Sequence, residues 1–489
     1  MVMLDVSRLG LSRLARCMLL AGAASLVAGP ALADELREAL ALAYVSNPAL
    51  QTARAQQRAV DENVPIARAA GLPSLSSTAT YTEFLKTSSN SFTSPSRAFD
   101  AQAQLGVPLY TGGAVKNSVR AAETRVGAGQ ADLRGVESGV FAQVVAAYMD
   151  VILAQEVVKL NRANVQRLEV NLQASRDRFE IGDLTRTDVA QSQSRLSLAR
   201  GQVRSAEANL IAARERYIQV VGKAPVDLQT PPPLIGLPGN AAEAAAIALD
   251  HNPDLLAARQ RATAAGYDVR VASAGKLPRV SLFAGGGYSD YLGTLGGSVP
   301  GNFTQNSTTA QAGVRATIPI FQGGLPAAQR RAAQARQDVV MEQEIGVERA
   351  VIANVRSAFA QWQAAQSLIA SSQTAVDAAA LGLEGVRAEN TVGNRTILDI
   401  LNAENELLTA QVQRATAQRN AYVAGFNLLA AMGKAEARDL GLDGGLLYDP
   451  QVNYDRVHGK IWDWSQDPDP TTESTRTVDT PAQAGSVSP

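Results

Sequence analysis

The chain has 489 residues, with 45 Lys+Arg against 46 Asp+Glu, a formal net charge of −1 and a mean hydropathy of −0.06. That balance excludes a strongly basic nucleic-acid binder and a polytopic helical membrane protein. Aromatics make up only 5%, few for thick globular cores, whereas the abundant Ala, Gln and Arg suit helices packed closely side by side.

The first segment, 1–33, reads as a signal peptide. Arg8, Arg13 and Arg16 supply a positive region, Cys17 to Ala28 an apolar one, and Ala31-Leu32-Ala33 a small-residue cleavage site before Asp34. About a dozen apolar residues are too few to cross a bilayer as a helix. Cleavage leaves an exported chain of net charge −3. Cys17 is the only cysteine, so the processed chain has no disulfide, no thiolate metal ligand and no lipid-attachment cysteine at its start.

The remainder repeats itself. Asn47-Pro48 returns as Asn252-Pro253 and Leu72-Pro73 as Leu277-Pro278, at an offset of 205. The offset then becomes 211: Pro108 to Gly113 matches Pro319 to Gly324, Gly182 matches Gly393, and Asp188 matches Asp399. The first repeat spans 34–222 and the second 241–442, joined by a linker at 223–240 that contains Pro231-Pro232-Pro233.

In chain order, helices over about 35–71 lead to strands at about 74–84 and 99–110. Phe99, Ala101, Ala103, Leu105, Val107 and Leu109 alternate with Asp100, Gln102, Gln104, Gly106 and Pro108, the period of a strand with one wet face. From 113 to 181 there is no Pro, and Val140, Val144, Tyr148, Val151, Val158, Val165 and Leu172 mark a narrow coiled-coil seam. The chain turns at Gly182, and the Thr185 to Asp188 capping-box spacing opens a helix over 186–221.

The second repeat follows the same order. Helices over 241–276 precede strands at about 279–290 and 309–321, where Ala310 to Ile320 alternate in the same way. A long helix over 325–392 carries the seam Val351, Val355, Phe359, Trp362, Ile369, Val376 and Leu383. It turns at Gly393, and Thr396 to Asp399 opens a last helix over 396–432. The polar, Pro-rich tail, 443–489, is expected to be disordered.

The strand segments 73–113 and 278–324 hold ten of the 24 aromatics but only seven charges. Four strands with an uncharged apolar face cannot sit alone in lipid, because the edge groups would lack partners. Two chains would give eight strands and a filled lumen; three give twelve and an open one. The expectation is therefore an α+β membrane protein: a trimeric 12-stranded transmembrane β-barrel, four strands per protomer, continued by a long α-helical coiled-coil periplasmic tunnel. A periplasmic coiled-coil scaffold or adaptor without a pore is the alternative, but it leaves the strands and their flanking Tyr81, Phe84, Tyr110, Tyr288 and Phe321 unexplained. With two His and no phosphate-binding loop, neither an enzyme nor a cofactor is expected. Gly285 to Gly287 sits inside a strand and reads as close backbone packing or barrel curvature.

Over about 35–442 the chain resembles the TolC family of outer-membrane efflux and secretion proteins. The likeness rests on the two Asn-Pro steps, on Val107 to Gly113 and Ile318 to Gly324, and on Val392 to Leu401. The resemblance implies an outer-membrane exit duct for type I secretion or multidrug efflux. It also implies a homotrimer in outer-membrane lipid, recruited by a periplasmic membrane-fusion adaptor and an inner-membrane ABC or RND-type transporter, with no nucleic acid. It assigns Asp399 to an acidic ring at the periplasmic entrance and leaves Asn402 where a second ring acid often stands. It assigns Arg395, with Thr187 and Asp188, to a latch between the repeats. Capping of its own helix is the plainer role for Asp188 and Asp399.

Overall fold

The Asn-Pro step that opens each repeat splits its first helical segment. In the computed structural model, which describes residues 36–86, 94–296, 301–442 and 447–485, α1 (Leu36–Ser46) stops before Asn47. The chain resumes as α2 (Pro48–Asp61) and α3 (Asn63–Ala69). Proline suits a first helical turn and breaks a helix interior. Asn47 supplies the cap, its Oδ1 accepting from the Ala49 N–H at 2.9 Å. Its Nδ2 donates to the Val220 carbonyl at 2.9 Å, an orphan acceptor at the end of α5 (Arg186–Val221).

The second repeat uses the same device. Between α6 (Ala241–His251) and α7 (Pro253–Ser273), Asn252 Oδ1 accepts from Leu255 N–H at 3.2 Å and Nδ2 donates to the Ala431 carbonyl at 2.9 Å. Ala431 closes α9 (Ile397–Ala431). Each repeat is thus one long helix beside two shorter helices stapled end to end. The signal peptide expected at 1–33 lies outside the described residues.

β1 (Ser74–Glu83), β2 (Arg97–Tyr110), β3 (Arg279–Asp290) and β4 (Asn306–Thr317) form one antiparallel sheet in that order. Leu75 pairs with Leu105, Leu105 with Ala284, and Ala284 with Ala312, so the apolar phases of all four strands share one face. Ser76, Gln104, Gly285 and Gln311 line up on the other. β1 and β4 are both edges within the chain. The expected last strand, 309–321, is corrected: β4 begins at Asn306 and ends at Thr317, opposite Arg279, the first residue of β3. Past that point the neighbouring strand has ended and Pro319 has no N–H to donate, so Ile318 to Phe321 leave the ladder.

α4 (Ala114–Glu180) and α8 (Leu325–Thr391) have 67 residues each, about 100 Å at 1.5 Å per residue. Val140, Val144, Tyr148 and Val151 of α4 are buried in a core shared with α1, α5 and α9, together with Val351 and Val355 of α8. The apolar stretch of α4, long enough by composition to cross a membrane, is the centre of this belt. The tail is a second correction. It carries α10 (Pro450–Val457), opened by Asp449 accepting from the Gln451 N–H at 2.9 Å. Tyr454 packs on Val64, Ala122 and Val126, and farther on the Gln483 N–H donates to Glu215 at 3.1 Å. Few apolar residues suffice there because an existing groove receives them.

Candidate functional site

The ends of the helical hairpins are built by one local scheme, used twice. α4 closes with Gly182 at φ +84°, its N–H bonded to the Phe179 carbonyl at 3.0 Å and that of Asp183 to Arg178 at 2.8 Å. Gly393, at φ +83°, ends α8 with the equivalent pair to Asn390 and Glu389, both at 3.0 Å. A left-handed residue at that position favours glycine, and the paired bonds satisfy the last carbonyls of each helix.

The chain then starts the returning helix with a reciprocal cap. Asp188 Oδ2 accepts from the Thr185 N–H at 2.9 Å and hydroxyl at 2.7 Å, while Thr185 Oγ1 accepts from Asp188 N–H at 3.3 Å. Asp399 and Thr396 repeat this at 2.9, 2.8 and 3.3 Å. The capping role of both aspartates is therefore present. The Thr185 hydroxyl, then its backbone N–H, hold the Asp188 carboxyl below the ordinary carboxylate value. The Thr396 backbone and hydroxyl do the same for Asp399, with the Arg395 cation adding to them. Both caps use Oδ2; among the described residues no hydrogen bond engages Asp399 Oδ1.

Within the protomer Arg395 bonds neither Thr187 nor Asp188. Its Nε donates to Glu389 at 2.7 Å on its own hairpin, and its carbonyl accepts from Asn390 Nδ2 at 2.7 Å. The Asp188 carboxylate is already occupied by Thr185, and Thr187 is exposed. Arg178 instead pairs with Asp183 across the first turn at 2.7 Å and reaches Asn390 of the second repeat at 3.4 Å.

Two closer ties between the repeats lie one to two turns inward. Arg195 of α5 donates to Asn402 Oδ1 at 2.9 Å. Glu404 of α9, only 1% exposed, accepts from Asn171 of α4 at 2.9 Å and from Arg387 of α8 at 2.7 Å. The sequence held a signal for Glu404: it stands in register with Ile397, Leu401 and Leu408, an acid at a position where the helix face is otherwise apolar and buried. Its partners carried no such signal.

The tips therefore present one cap carboxylate per hairpin over a buried polar tie, with no grouping of His, Cys, Asp and Glu suited to a metal among the described residues. Such an arrangement can bias passing charge and hold helices together or release them. It offers no nucleophile and base pair.

Comparison with known proteins agrees with this architecture. Residues 39–223 and 245–434 match the family described as outer membrane efflux protein, one match per repeat. The chain is 34% identical over 464 residues to the outer membrane efflux protein BepC of Brucella suis, covering 93% of this chain and 98% of that one. It is 27% identical over 426 residues to the outer membrane protein TolC of Escherichia coli, covering 83% and 84%. The structure of the outer membrane protein VceC of Vibrio cholerae superposes with a TM-score of 0.69 at 22% identity, over 81% of this chain and 96% of that one. With both repeats matched and a relative aligned over nearly its whole length, the chain belongs to the outer membrane efflux protein family.

Proposed function

We propose that this chain is one protomer of a homotrimeric outer-membrane exit duct that passes cargo outward without performing chemistry on it. The observation that carries this reading is the sheet: four strands, one continuous apolar face, and two open edges. Unpaired edge groups have no partners in hydrocarbon, so the sheet must close with copies of itself. Three copies give twelve strands, enough for an open lumen. Each strand pair runs into a layer of helices about 100 Å long, which carries the duct through the periplasm.

The cargo belongs to type I protein secretion or multidrug efflux. The energy comes from an inner-membrane transporter of the ABC or RND type, engaged through a periplasmic membrane-fusion adaptor. In the trimer the three Asp399 carboxylates converge at the periplasmic entrance, and the Glu404 and Arg195 ties set how tightly the helices gather there. Cross-linking followed by purification should recover the adaptor and transporter with the duct. The detergent-extracted protein should be a trimer that forms pores in planar bilayers. A monomer stable in buffer without detergent would contradict the shared barrel.

A further inference from the structure

The C-terminal tail turns back on itself beside the foot of the barrel. α10 runs antiparallel to α4: Gln451 meets Gln130 at 3.5 Å, Tyr454 packs on Ala122 and Val126, and the His458 carbonyl accepts from Arg68 at 3.4 Å. Each step brings the tail closer to Ala114, where α4 leaves the strands, and Arg68 closely precedes the start of β1 at Ser74. The chain then reverses. Asp467 accepts from Arg456 at 2.8 Å and from Lys460 at 2.9 Å, and the Ser465 N–H donates to the Trp462 carbonyl at 3.1 Å.

The turn between these ties, 459–466, carries Ile461, Trp462 and Trp464, exposed by 69%, 71% and 80%. Two indoles and an isoleucine held in water by an ion-paired turn leave a large apolar area uncovered. Two further observations say what covers it. The Arg68–His458 bond brings the turn toward the periplasmic ends of the strands, where Leu109, Tyr110, Ile320 and Phe321 are likewise exposed. The tail also lies on the face that bears α1: the Tyr448 N–H donates to Tyr44 Oη at 2.9 Å, and Arg54 is held between the two rings at 4.5 and 4.9 Å. A tail on the opposite face would fill the duct, so this face looks outward to lipid.

We propose that the 459–466 turn is an interfacial anchor, with Ile461, Trp462 and Trp464 inserted into the periplasmic leaflet of the outer membrane. Tryptophan favours that depth because its ring is apolar while its N–H still finds water or a headgroup. The anchor ties the helical belt to the membrane outside the barrel wall. It rests on the barrel reading given above, and the test separates the two.

The full chain has three tryptophans, and Trp362 of α8 packs against Gly425 of α9, away from the strands. Comparing the parent with a Trp462→Ala/Trp464→Ala variant therefore isolates the tail pair's emission. Both proteins are reconstituted in phospholipid vesicles, with and without brominated acyl chains. The anchor predicts blue-shifted tail emission, most of which is lost in brominated vesicles, while the residual Trp362 signal changes little. Unquenched red emission places the turn in water, and unquenched blue emission places it in a contact between protomers; either overturns the anchor. Flotation supplies the control. If the double variant still floats with vesicles, the barrel stands whatever the turn does. If neither protein floats, the barrel reading fails and the anchor with it.

Discussion

Arg195 in the first repeat donates to the Asn402 amide oxygen in the second across 2.9 Å. The position where the family often has a second entrance acid is therefore one half of a bond between repeats. Asn402→Asp would place its new carboxylate against this guanidinium and neutralise much of its own field. Alone, it should tighten block by a trivalent cation only slightly in single-channel recording. Combined with Arg195→Ala it should tighten block clearly, because the added carboxylate then stands free. Equal block in both variants would mean that Arg195 does not control the charge at that position.

The Asn-Pro staples should be among the costliest polar side chains to lose. Asn47→Ala removes a helix cap worth about 1 kcal/mol and leaves a buried Val220 carbonyl unpaired, at about 1–3 kcal/mol. Asn252→Ala should behave alike through Ala431. Asn47→Asp separates the two contributions, since it keeps the cap acceptor but turns a carboxylate toward a carbonyl. It should be no better than alanine. The readout is the temperature at which the detergent-purified trimer dissociates, and a near-normal value for Asn47→Asp would show that only the cap matters.

Strand phase is testable at paired positions. Val107 and Val314 both face Leu282, on the apolar side of the sheet, while Gln104 and Gln311 both face Gly285 on the other. Lysine at Val314 should cost about 2–4 kcal/mol near the bilayer midplane and reduce trimer yield in the outer membrane. Lysine at Gln311 should leave yield unchanged and shift ion selectivity. Equal yields would reverse the faces.

Much of this sheet was legible beforehand because alternation has a period of two and the apolar residues at 99–109 and 310–320 stand in clean runs. The long helices and the turns at Gly182 and Gly393 were legible for similar local reasons. What escaped were bonds between residues far apart in the chain. Asn47 Nδ2 meets a carbonyl 173 residues away and Glu404 meets Asn171 across 233, and no periodicity encodes such pairs. Arg395 shows the local case: within the protomer it pairs with Glu389, six residues back on the same hairpin.

Glu404 ties α4, α8 and α9 together near the entrance. Glu404→Ala would leave Asn171 and Arg387 without their carboxylate; Arg387 is half exposed and can rehydrate, so the loss should be near the low end of the 3–5 kcal/mol seen on breaking buried pairs. The entrance should loosen, raising single-channel conductance. Glu404→Gln keeps an acceptor for both donors and should raise it less.

Acid should fray both tips. The folded-state values of Asp188 and Asp399 are depressed by their capping bonds, so the stability they add is complete above the unfolded carboxylate range, about pH 4. It is lost as pH falls through the lower folded values. Amide exchange over 185–190 and 396–401, corrected for its intrinsic pH dependence, should rise in that acid window. Thr185→Ala and Thr396→Ala should move the onset to higher pH at their own tip only.

The last prediction separates the two roles of Asp399. Its Oδ2 is spent on the cap to Thr396, which leaves Oδ1 and the net charge available to the entrance. The proposed entrance ring would bring three such carboxylates together on the trimer axis, within the ~8 Å screening length at physiological salt, where they would attract cations. Asp399→Asn keeps an oxygen to accept from the Thr396 N–H, so the helix start should survive while the charge is gone. Thr396→Ala does the reverse, removing the hydroxyl from the cap and leaving the carboxylate. Single-channel recording with a trivalent cation on the periplasmic side should therefore show weak block and reduced cation preference for Asp399→Asn, and near-parental block for Thr396→Ala. Asp188→Asn, at the equivalent cap of the first repeat, should also block nearly as the parent does. Parental block in Asp399→Asn would leave this residue as a helix cap and nothing more.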